Sequence, residues 1–384
     1  MIKKYLLAPG PTPVPPEVLL AMAQPVIHHR TPQFEAVVAE VRDGLRQLFQ
    51  TQQDVLVLAS SGTGAMEAAV TNLTSPGDRV LVVNGGKFGE RWGKIAAAYG
   101  LAVTEIKVEW GCAVDPDVVA RALDEHPETR LVLAQGSETS TTVRHPVDRL
   151  AAVTRGRKAL LVVDGITAVG VFDLPMDKLG IDVLITGSQK ALMLPPGLAC
   201  IALSERAWRA ADESTTPRYY FDLPRERASQ AKDTTAWTPA ISLIAGLRTA
   251  LDLMLTERLP AVYARHELLA RATRAGVQAL GLRLVAPDDP SPAATGVYLP
   301  DGVPGKIVGY LRDEIGVTFA GGQDALKGKI VRLAHLGYAD AFDVIQGLAA
   351  FEMGLARFGH PVKFGAGVGA AQAVLMDAFP EPSR

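Results

Sequence analysis

The chain has 384 residues, 48% of them hydrophobic, and a formal net charge of −2 at pH 7. This length is sufficient for two domains, and the apolar content excludes a largely disordered chain. The near-neutral charge excludes the polycationic surface that binding to nucleic acid or to an anionic membrane would require.

The cysteine content and the hydropathy of the chain favour a cytoplasmic protein. Cys112 and Cys200 form no CxxC pair, which indicates a reducing compartment. No window holds 18 uninterrupted apolar residues, so we expect no membrane span. The N-terminal sequence has two lysines but only a short apolar stretch before five prolines, so we expect neither a signal peptide nor a membrane anchor.

Seven short apolar runs predict the strands of one sheet. Most of them are separated by helix-length segments, which is typical of a largely parallel sheet with helices on both faces. Only about a dozen residues join the sixth run to the seventh, too few for a helical crossover, so we expect the seventh to run antiparallel. The runs are Val55–Ala59, Val80–Val83, Val103–Val108, Leu131–Ala134, Leu160–Val163, Val183–Ile185 and Ala199–Leu203. The predicted helices between them include Gly64–Leu73, Glu90–Tyr99, Pro116–Glu125 and Pro146–Thr154.

The pattern changes after residue 256 to short strands clustered with a few helices, which indicates a smaller α+β domain. We therefore predict an N-terminal arm at residues 1–20, a large domain at 21–256 and a small C-terminal domain at 257–384. Residues 359–384 form a tail for which the pattern predicts no role. The small domain is expected to hold helices at Ala261–Leu280, Gly305–Ile315 and Asp340–Phe358, and strands at Arg283–Ala286, Thr295–Leu299, Val317–Ala320 and Ile330–Ala334.

A lysine and an aspartate that follow buried strands carry the strongest chemical signal. Asp164 comes directly after the fifth run, and Lys190 follows the sixth after a Thr-Gly-Ser-Gln segment. The carboxyl ends of the strands of an open parallel sheet share one crevice, where ligands bind. A lysine that forms a Schiff base and an aspartate that pairs with a protonated ring nitrogen are what a pyridoxal phosphate site needs. The ordinary alternative is a solvated loop lysine, which would leave Asp164 unexplained.

Three further segments follow predicted strands. Residues 60–64 (Ser-Ser-Gly-Thr-Gly) begin a predicted helix, and small residues with free amides there suit a phosphate group. Phe88 can stack on a planar ring, and residues 138–142 (Glu-Thr-Ser-Thr-Thr) offer hydroxyls for a ring oxygen. Helix capping, core packing and a polar turn are the respective alternatives. Only the joint occurrence of the segments favours a cofactor site.

These residues resemble those of the class V aminotransferases, which are pyridoxal phosphate enzymes of fold type I. The resemblance is strongest to the alanine–glyoxylate and serine–glyoxylate (serine–pyruvate) enzymes. It extends from residues 9–13 (Pro-Gly-Pro-Thr-Pro) to Arg332, and its most specific part is residues 187–192 (Gly-Ser-Gln-Lys-Ala-Leu), followed by Pro-Pro-Gly. It implies an α/β fold with a seven-stranded, mostly parallel sheet in a large domain and a smaller α+β C-terminal domain. Thr142 stands where glycine is common in the family.

The resemblance also implies roles for individual residues. Lys190 becomes the Schiff-base lysine, Asp164 the partner of the ring nitrogen, and Arg332 the arginine that grips the substrate carboxylate. Phe88 takes the position of the stacking aromatic, and Thr139 that of the hydroxyl on the ring oxygen. A homodimer with the active site at the subunit interface is implied, in which a threonine of residues 234–238 reaches the neighbouring phosphate. The implied phosphate ligands are Ser61, Gly62, Thr63 and Gln189, with Thr235 and Thr238 as the candidates from the neighbouring subunit.

The implied function is transfer of an amino group from alanine or serine to glyoxylate or pyruvate by a ping-pong mechanism. Arg332 as a single carboxylate-binding arginine favours such small donors, unless Arg30, Arg218 or Arg225 enters the pocket. A pyridoxal phosphate lyase or desulfurase on the same fold is the nearest alternative.

Other classes fit the sequence less well. A nicotinamide oxidoreductase should show G-x-G-x-x-G, and residues 61–65 lack the third glycine. A hydrogenase-associated redox subunit would need more metal ligands than two isolated cysteines. A non-catalytic scaffold would leave Lys190 and Asp164 unexplained. His28 and His29 lack the neighbours of a metal site, and His335 either lines the pocket or packs in the core, so we predict no metal.

Overall fold

The computed structural model describes residues 2–379 as alternating strands and helices, followed by a group of short strands and long helices. The strands are β1 (Tyr5–Leu6), β2 (Val55–Ser60), β3 (Arg79–Asn84), β4 (Ala102–Lys107), β5 (Leu131–Gln135), β6 (Ser137–Glu138), β7 (Val143–Arg144), β8 (Leu160–Asp164), β9 (Val183–Gly187), β10 (Gly197–Leu203), β11 (Ala294–Tyr298), β12 (Val317–Thr318), β13 (Ala320–Gly321) and β14 (Ile330–Ala334). The α-helices are α1 (Pro16–Met22), α2 (Pro32–Phe49), α3 (Gly62–Leu73), α4 (Lys87–Ala98), α5 (Pro116–Glu125), α6 (Val147–Thr154), α7 (Met176–Leu179), α8 (Glu205–Glu213), α9 (Leu223–Gln230), α10 (Ile241–Glu257), α11 (Leu259–Ala279), α12 (Ile307–Tyr310), α13 (Ala341–Arg357) and α14 (Ala366–Leu375).

The seven predicted strands form one sheet in the order β2-β10-β9-β8-β5-β3-β4. Strand β10 runs antiparallel to both of its neighbours, and the other pairs are parallel, which confirms the predicted reversal. Most of these strands are continuous apolar runs because helices cover both faces of the sheet. Neighbouring side chains on β5 illustrate this, since Val132 enters one apolar cluster while Leu131 and Leu133 enter the other.

A second, smaller sheet lies in the C-terminal third of the chain. Its order is β11-β14-β13, with all pairs antiparallel, helix α11 packs against β11, and helices α11, α13 and α14 pack against one another. The apolar cluster beneath it includes Val297, Val331 and Phe351, which are buried, and is separate from the two clusters of the large sheet. The tail at residues 359–384 was predicted without a role, and its described part contributes α14 to this cluster.

Three predictions for this region are wrong. Residues 283–286 form no strand, because only Leu284 makes a single bridge, to Val297. The strand predicted at residues 317–320 is divided into β12 and β13, which pair with different partners. The helix predicted at residues 305–315 begins at Ile307 and ends in a π-helical turn, Leu311–Ile315.

The N-terminal segment crosses from the small sheet to the large one. Strand β1 pairs in parallel with β12, and the Leu7 carbonyl accepts a hydrogen bond from the Ala334 amide at 2.9 Å. A few residues later the Thr12 hydroxyl donates to the Lys190 carbonyl at 2.9 Å. The segment therefore links β14 with the residue that follows β9.

The division into an arm at residues 1–20, a large domain at 21–256 and a small domain at 257–384 stays a prediction. The separate apolar clusters and the junction of α10 with α11 near residue 258 support it. Within residues 2–379, no helix combines the length and the apolar character needed to cross a membrane.

Candidate active site

The carboxyl ends of β5, β8 and β9 lie side by side in the sheet and place polar groups together. Gln135 pairs with Asp164 across β5 and β8, and Asp164 pairs with Ile185 on β9. Lys190 follows β9 by three residues. Parallel strands bring their carboxyl ends to one edge, so these groups share the crevice that the sequence predicts.

Lys190 is largely buried, and its amine donates a hydrogen bond to the Pro9 carbonyl at 2.6 Å. Burial, together with the positive charge of Arg332, lowers the pKa of this amine to about 8, although Asp164 acts in the opposite direction. Gly10 approaches the amine so closely that any side chain there would collide with it. The site therefore holds a lysine that releases its proton near neutral pH.

Asp164 is buried, with 3% of its surface exposed. The Ile166 amide donates to Oδ1 at 2.9 Å, and Oδ2 has no hydrogen-bond partner within residues 2–379. Burial raises the pKa of this carboxyl to about 7, and the neighbouring Glu138 charge acts in the same direction. A buried acidic group with an unbonded oxygen is suited to a protonated ring nitrogen, which would supply both a hydrogen bond and a positive charge.

Helix α3 offers free amides to an anion. Ser61 is its N-cap residue but makes no side-chain capping bond, so the first amides of the helix lack that partner. Gly62 has no space for a side chain because Ile166 lies against it. Nearby, the Gln189 side-chain oxygen is buried without a hydrogen-bond partner among the described residues. Free amides at a helix N-terminus and an orphaned polar atom fit a phosphate group.

Phe88 lies in the first turn of α4, and its side chain is half-buried. The Phe88 and Gly89 amides donate to the Glu138 carboxylate at 3.1 and 3.0 Å. The Arg91 guanidinium lies 4.7 Å from the centre of the Phe88 ring, and its Nη1 donates to the Thr63 hydroxyl at 2.9 Å. Arg91 therefore covers one face of the Phe88 ring and also contacts the start of α3.

Arg332 reaches the same crevice from β14. Its guanidinium donates to the Thr139 carbonyl at 2.8 Å and makes two bonds to the Gly321 carbonyl, at 3.1 and 2.9 Å. Burial lowers the pKa of Arg332 to about 10, so it remains charged at neutral pH. Three of its five N–H groups are used, which leaves two for a carboxylate. The Thr139 hydroxyl lies 2.8 Å from that of Thr167.

Two residues predicted for the cofactor site are not hydrogen-bonded to the other site residues within the described part of one subunit. Thr235 and Thr238 line a narrow cavity beside β2, and the Thr235 hydroxyl donates to the Trp237 carbonyl at 2.6 Å. No hydrogen bond within residues 2–379 connects either threonine to Lys190 or to α3. The structure of one subunit therefore does not bring them to the site.

The three other arginines that the sequence left open are engaged elsewhere or exposed. Arg218 donates to the backbone carbonyls of Thr71 and Thr216, the Arg225 guanidinium stacks on Trp237, and Arg30 is exposed. They therefore add no second carboxylate-binding arginine to the site within one subunit.

Sequence reasoning missed Glu138 and Arg91. Glu138 was only part of a hydroxyl-rich segment, and Arg91 lies among the charged residues of an amphipathic helix, where arginine is ordinary. His335, which the sequence left open, is buried and bonded to Thr295 and to the Pro292 carbonyl. No group of three His, Cys, Asp or Glu within residues 2–379 has the arrangement of a metal site.

The family model of aminotransferase class V matches residues 4–338. The chain belongs to this family. Among its relatives, it is 43% identical to the "Soluble hydrogenase 42 kDa subunit" of Anabaena cylindrica, over 97% of this chain and 98% of the relative. It is 37% identical to the L-aspartate–glyoxylate aminotransferase of Paracoccus denitrificans, over 96% and 95% of the two chains. The crystal structure of the ureidoglycine–glyoxylate aminotransferase of Bacillus subtilis superposes with a TM-score of 0.94 at 30% identity, over 98% and 99%.

This class V aminotransferase has the fold of the type I pyridoxal phosphate enzymes, as the sequence predicts, and pyridoxal phosphate is its cofactor. The residues described above fit that group. Asp164 offers an unbonded carboxylate oxygen, α3 offers free amides, and Lys190 offers an amine of lowered pKa.

Proposed function

We propose that the chain transfers an amino group from a small amino acid, alanine or serine, to a small keto acid, glyoxylate or pyruvate, in a ping-pong reaction. The observation that carries the proposal is the Lys190 amine, which is largely buried and bonded to the Pro9 carbonyl, with its pKa lowered to about 8 by burial and by the charge of Arg332. Two of the relatives named above act on glyoxylate according to their names, which supports a small keto-acid acceptor.

Bound pyridoxal phosphate supplies an aldehyde that accepts an amine and a ring that withdraws electrons from the bound amino acid. Lys190 is the amine that attaches to it, and when free it takes the α-proton of the donor and returns it as general acid. Because the pKa of Lys190 is about 8, its amine can act both as a base and as an acid near neutral pH. Asp164 holds the proton on the ring nitrogen, and Arg332 fixes the donor's α-carboxylate through its two unused N–H groups.

The other site residues would fix the position of the cofactor ring and of its phosphate. Phe88 would stack on the ring of the cofactor, and the Thr139 hydroxyl would contact the ring oxygen. The proposed phosphate ligands are the hydroxyls and amides of Ser61, Gly62 and Thr63 at the start of α3, together with Gln189.

Arg332 as a single carboxylate-binding arginine supports small donors. Arg91 also lies at the site, but its guanidinium is bonded to Thr63 and stacked on Phe88. The four other N–H groups of Arg91 have no hydrogen-bond partner among residues 2–379, so aspartate is included as a donor in the test below.

A desulfurase on this fold is less favoured by the two cysteines. Such an enzyme needs an accessible thiolate nucleophile. Cys200 is buried within β10, and burial raises the pKa of its thiol to about 12. Cys112 is exposed, but partial desolvation and the nearby Glu109 charge raise the pKa of its thiol too. The hydrogenase name of the relative is not supported for this chain. Cys200 lies on β10 and Cys112 follows β4, and these strands lie far apart in the sheet, so the two cysteines do not form a shared metal site.

We also propose that the active enzyme is a homodimer in which Thr235 or Thr238 completes the phosphate site of the partner. Supporting this, large apolar side chains are exposed on and after α1, with Leu20 65% and Val26 69% exposed. Tyr219 and Tyr220, which are also exposed, lie beside Trp237. Groups of exposed large apolar side chains are typical of interaction sites.

The first test is the substitution Lys190→Ala. The purified variant should lack the visible absorbance of covalently held cofactor and should lose transamination by several orders of magnitude, because it lacks both the attachment point and the general base. Lys178→Ala, which changes an exposed lysine on α7, is the matched control and should retain both properties. Normal turnover in the Lys190 variant would refute the assignment.

The donor and the acceptor are tested separately with the unaltered protein. Alanine, serine and aspartate are each offered as donor with glyoxylate, serine and aspartate are also offered with pyruvate, and the product amino acid is measured. We expect the highest kcat/KM with alanine or serine. A preference for aspartate would overturn the proposal of a small donor while leaving the aminotransferase reaction in place.

A further inference from the structure

Arg91 and Thr63 form a contact whose hydrogen-bond direction is fixed by chemistry. A guanidinium has only donors, so in the 2.9 Å contact the Thr63 oxygen must accept from Arg91. The hydroxyl hydrogen of Thr63 is then free to be donated to another group. Among residues 2–379, the structure shows no acceptor for it.

Thr63 occupies the second position of α3, next to the free amides at the start of that helix. Its side chain is neither fully buried nor fully exposed, so a ligand at the helix N-terminus can reach it. The hydroxyl hydrogen and the amide hydrogens are thus available to the same anion. Without Arg91 the hydroxyl would be free to rotate and could also accept a hydrogen bond from water.

The stacking ring and the phosphate loop are joined by the same arginine. Arg91 lies one helical turn after Phe88 on α4, so a single side chain contacts both the proposed ring-stacking residue and a proposed phosphate ligand. Its positive charge also reaches the centre of the site, where it acts on the pKa of both Asp164 and Lys190. A cation so placed favours a dianionic phosphate over a neutral substituent.

We propose that Arg91 is a positioning residue that turns the Thr63 hydroxyl toward the cofactor phosphate and so makes the site select the phosphorylated cofactor over unphosphorylated pyridoxal. The inference rests on the proposed function, because it assumes that Thr63 and the start of α3 hold the phosphate. It assigns Arg91 a role through Thr63 and through charge, without direct contact with the reacting atoms.

The test compares the dissociation constants of pyridoxal phosphate and of pyridoxal for the cofactor-free protein, measured by fluorescence or absorbance titration. Arg91→Met should weaken binding of pyridoxal phosphate by about tenfold to a hundredfold, the usual effect of losing a hydrogen bond to a charged group and its associated charge. Binding of pyridoxal should change by less than about threefold, because it has no phosphate for Thr63 to contact. Lys94→Met, on the exposed side of the same helix, is the matched control and should change neither constant.

A double-mutant cycle identifies the route of the effect. In a Thr63→Val background, the hydroxyl is absent, so Arg91→Met should weaken pyridoxal phosphate binding much less than it does in the unaltered protein. Arg91→Lys keeps the charge but not the planar donor, and it should recover part of the selectivity. If Arg91→Met fails to fold, Arg91→Lys and Thr63→Val, made separately and together, carry the same test.

Two results would overturn the inference. An equal loss of affinity for pyridoxal phosphate and pyridoxal would show that Arg91 acts through the Phe88 ring or the fold of α4. Additive effects of the two substitutions would show that it does not act through Thr63. If the unaltered protein bound neither compound, the proposed function itself would fail, which is a distinct outcome.

Discussion

The Asp164 carboxyl group is buried with one oxygen unbonded, an arrangement that makes the cofactor-free protein less stable at neutral pH. Burial raises the pKa of this group from 3.8 to about 7 in the folded protein. Between these values the folded protein retains a proton that the unfolded chain has released, so the free energy of unfolding falls as the pH rises through this window. Binding of a positively charged ring would offset the effect.

We expect Asp164→Asn to stabilise the cofactor-free protein. The amide keeps the acceptor for the Ile166 amide but carries no charge, so the gain should be about 2–4 kcal/mol near pH 8 and should disappear near pH 4. Denaturant unfolding at several pH values measures it, with exposed Asp212→Asn as the control. A gain that did not depend on pH would contradict the explanation, and the variant should also be a poor aminotransferase.

At the scale of single residues, the sequence could identify those that end a buried strand. Asp164 and Lys190 are charged residues beside apolar runs, so they are conspicuous. Arg91 and Glu138 are not, because their partners lie on other elements. Nothing local indicates that Glu138 lies beneath the first turn of α4, or that Arg91 points to Thr63 instead of to solvent.

At the scale of secondary-structure elements, Glu138 joins α4 to the β6–β7 hairpin. Its carboxylate accepts bonds from the Phe88 and Gly89 amides, from the Ser140 amide at 3.1 Å and from the Ser140 hydroxyl at 2.5 Å. Burial raises the pKa of Glu138, while these four donors act against that shift. The free amides at the start of a helix favour a negative charge in this position.

We expect Glu138→Gln to lower the free energy of unfolding by about 2–4 kcal/mol, because one amide oxygen cannot accept four bonds and the amide NH₂ group would face the donors of α4. Chemical denaturation of the cofactor-free protein measures the loss. Glu90→Gln, which changes a surface carboxylate on the same helix, should have little effect. If both variants were equally stable, the hairpin would not depend on this carboxylate.

The Thr142 backbone adopts a conformation that glycine takes up more readily than threonine. Thr142 has φ of 59°, in the left-handed region that disfavours a β-branched residue. Its hydroxyl accepts from the Gly296 amide on β11 at 3.1 Å, and its carbonyl accepts from the Ser291 amide at 2.8 Å. The hydrogen bond between the Thr142 side chain and β11 therefore offsets part of the cost of this backbone conformation and links the hairpin to the smaller sheet.

Elements with continuous apolar sequence were predictable, and elements that depend on distant partners were not. The strands of the large sheet match their predictions within a residue or two, because burial on both faces is visible in each run. The short strands β12 and β13 differ, since β12 needs the N-terminal β1 and β13 needs β14. Local pattern does not specify such pairing.

At the scale of the whole molecule, the exposed apolar surface of α1 gives a test of the proposed homodimer. Leu20→Glu should shift the protein from dimer to monomer, because a charge would be buried in the interface. It should also weaken cofactor binding, since Thr235 or Thr238 of the partner would be lost. Light scattering after gel filtration measures the mass, and Met353→Glu, an exposed position on α13, is the control. A monomeric but fully active unaltered protein would contradict the proposal.

The pairing of β1 with β12 has a consequence for biosynthesis. A ribosome makes Tyr5 and Leu6 long before it makes Val317 and Thr318. The large sheet and its helices can assemble during translation, because their contacts lie within the earlier part of the chain. The segment that covers Lys190 can bond to residues 189 and 190 early, but it completes its contacts only when β12 and β14 have left the exit tunnel. A nascent chain stalled before that point would hold this cover at one end only and would expose Leu7 to chaperones.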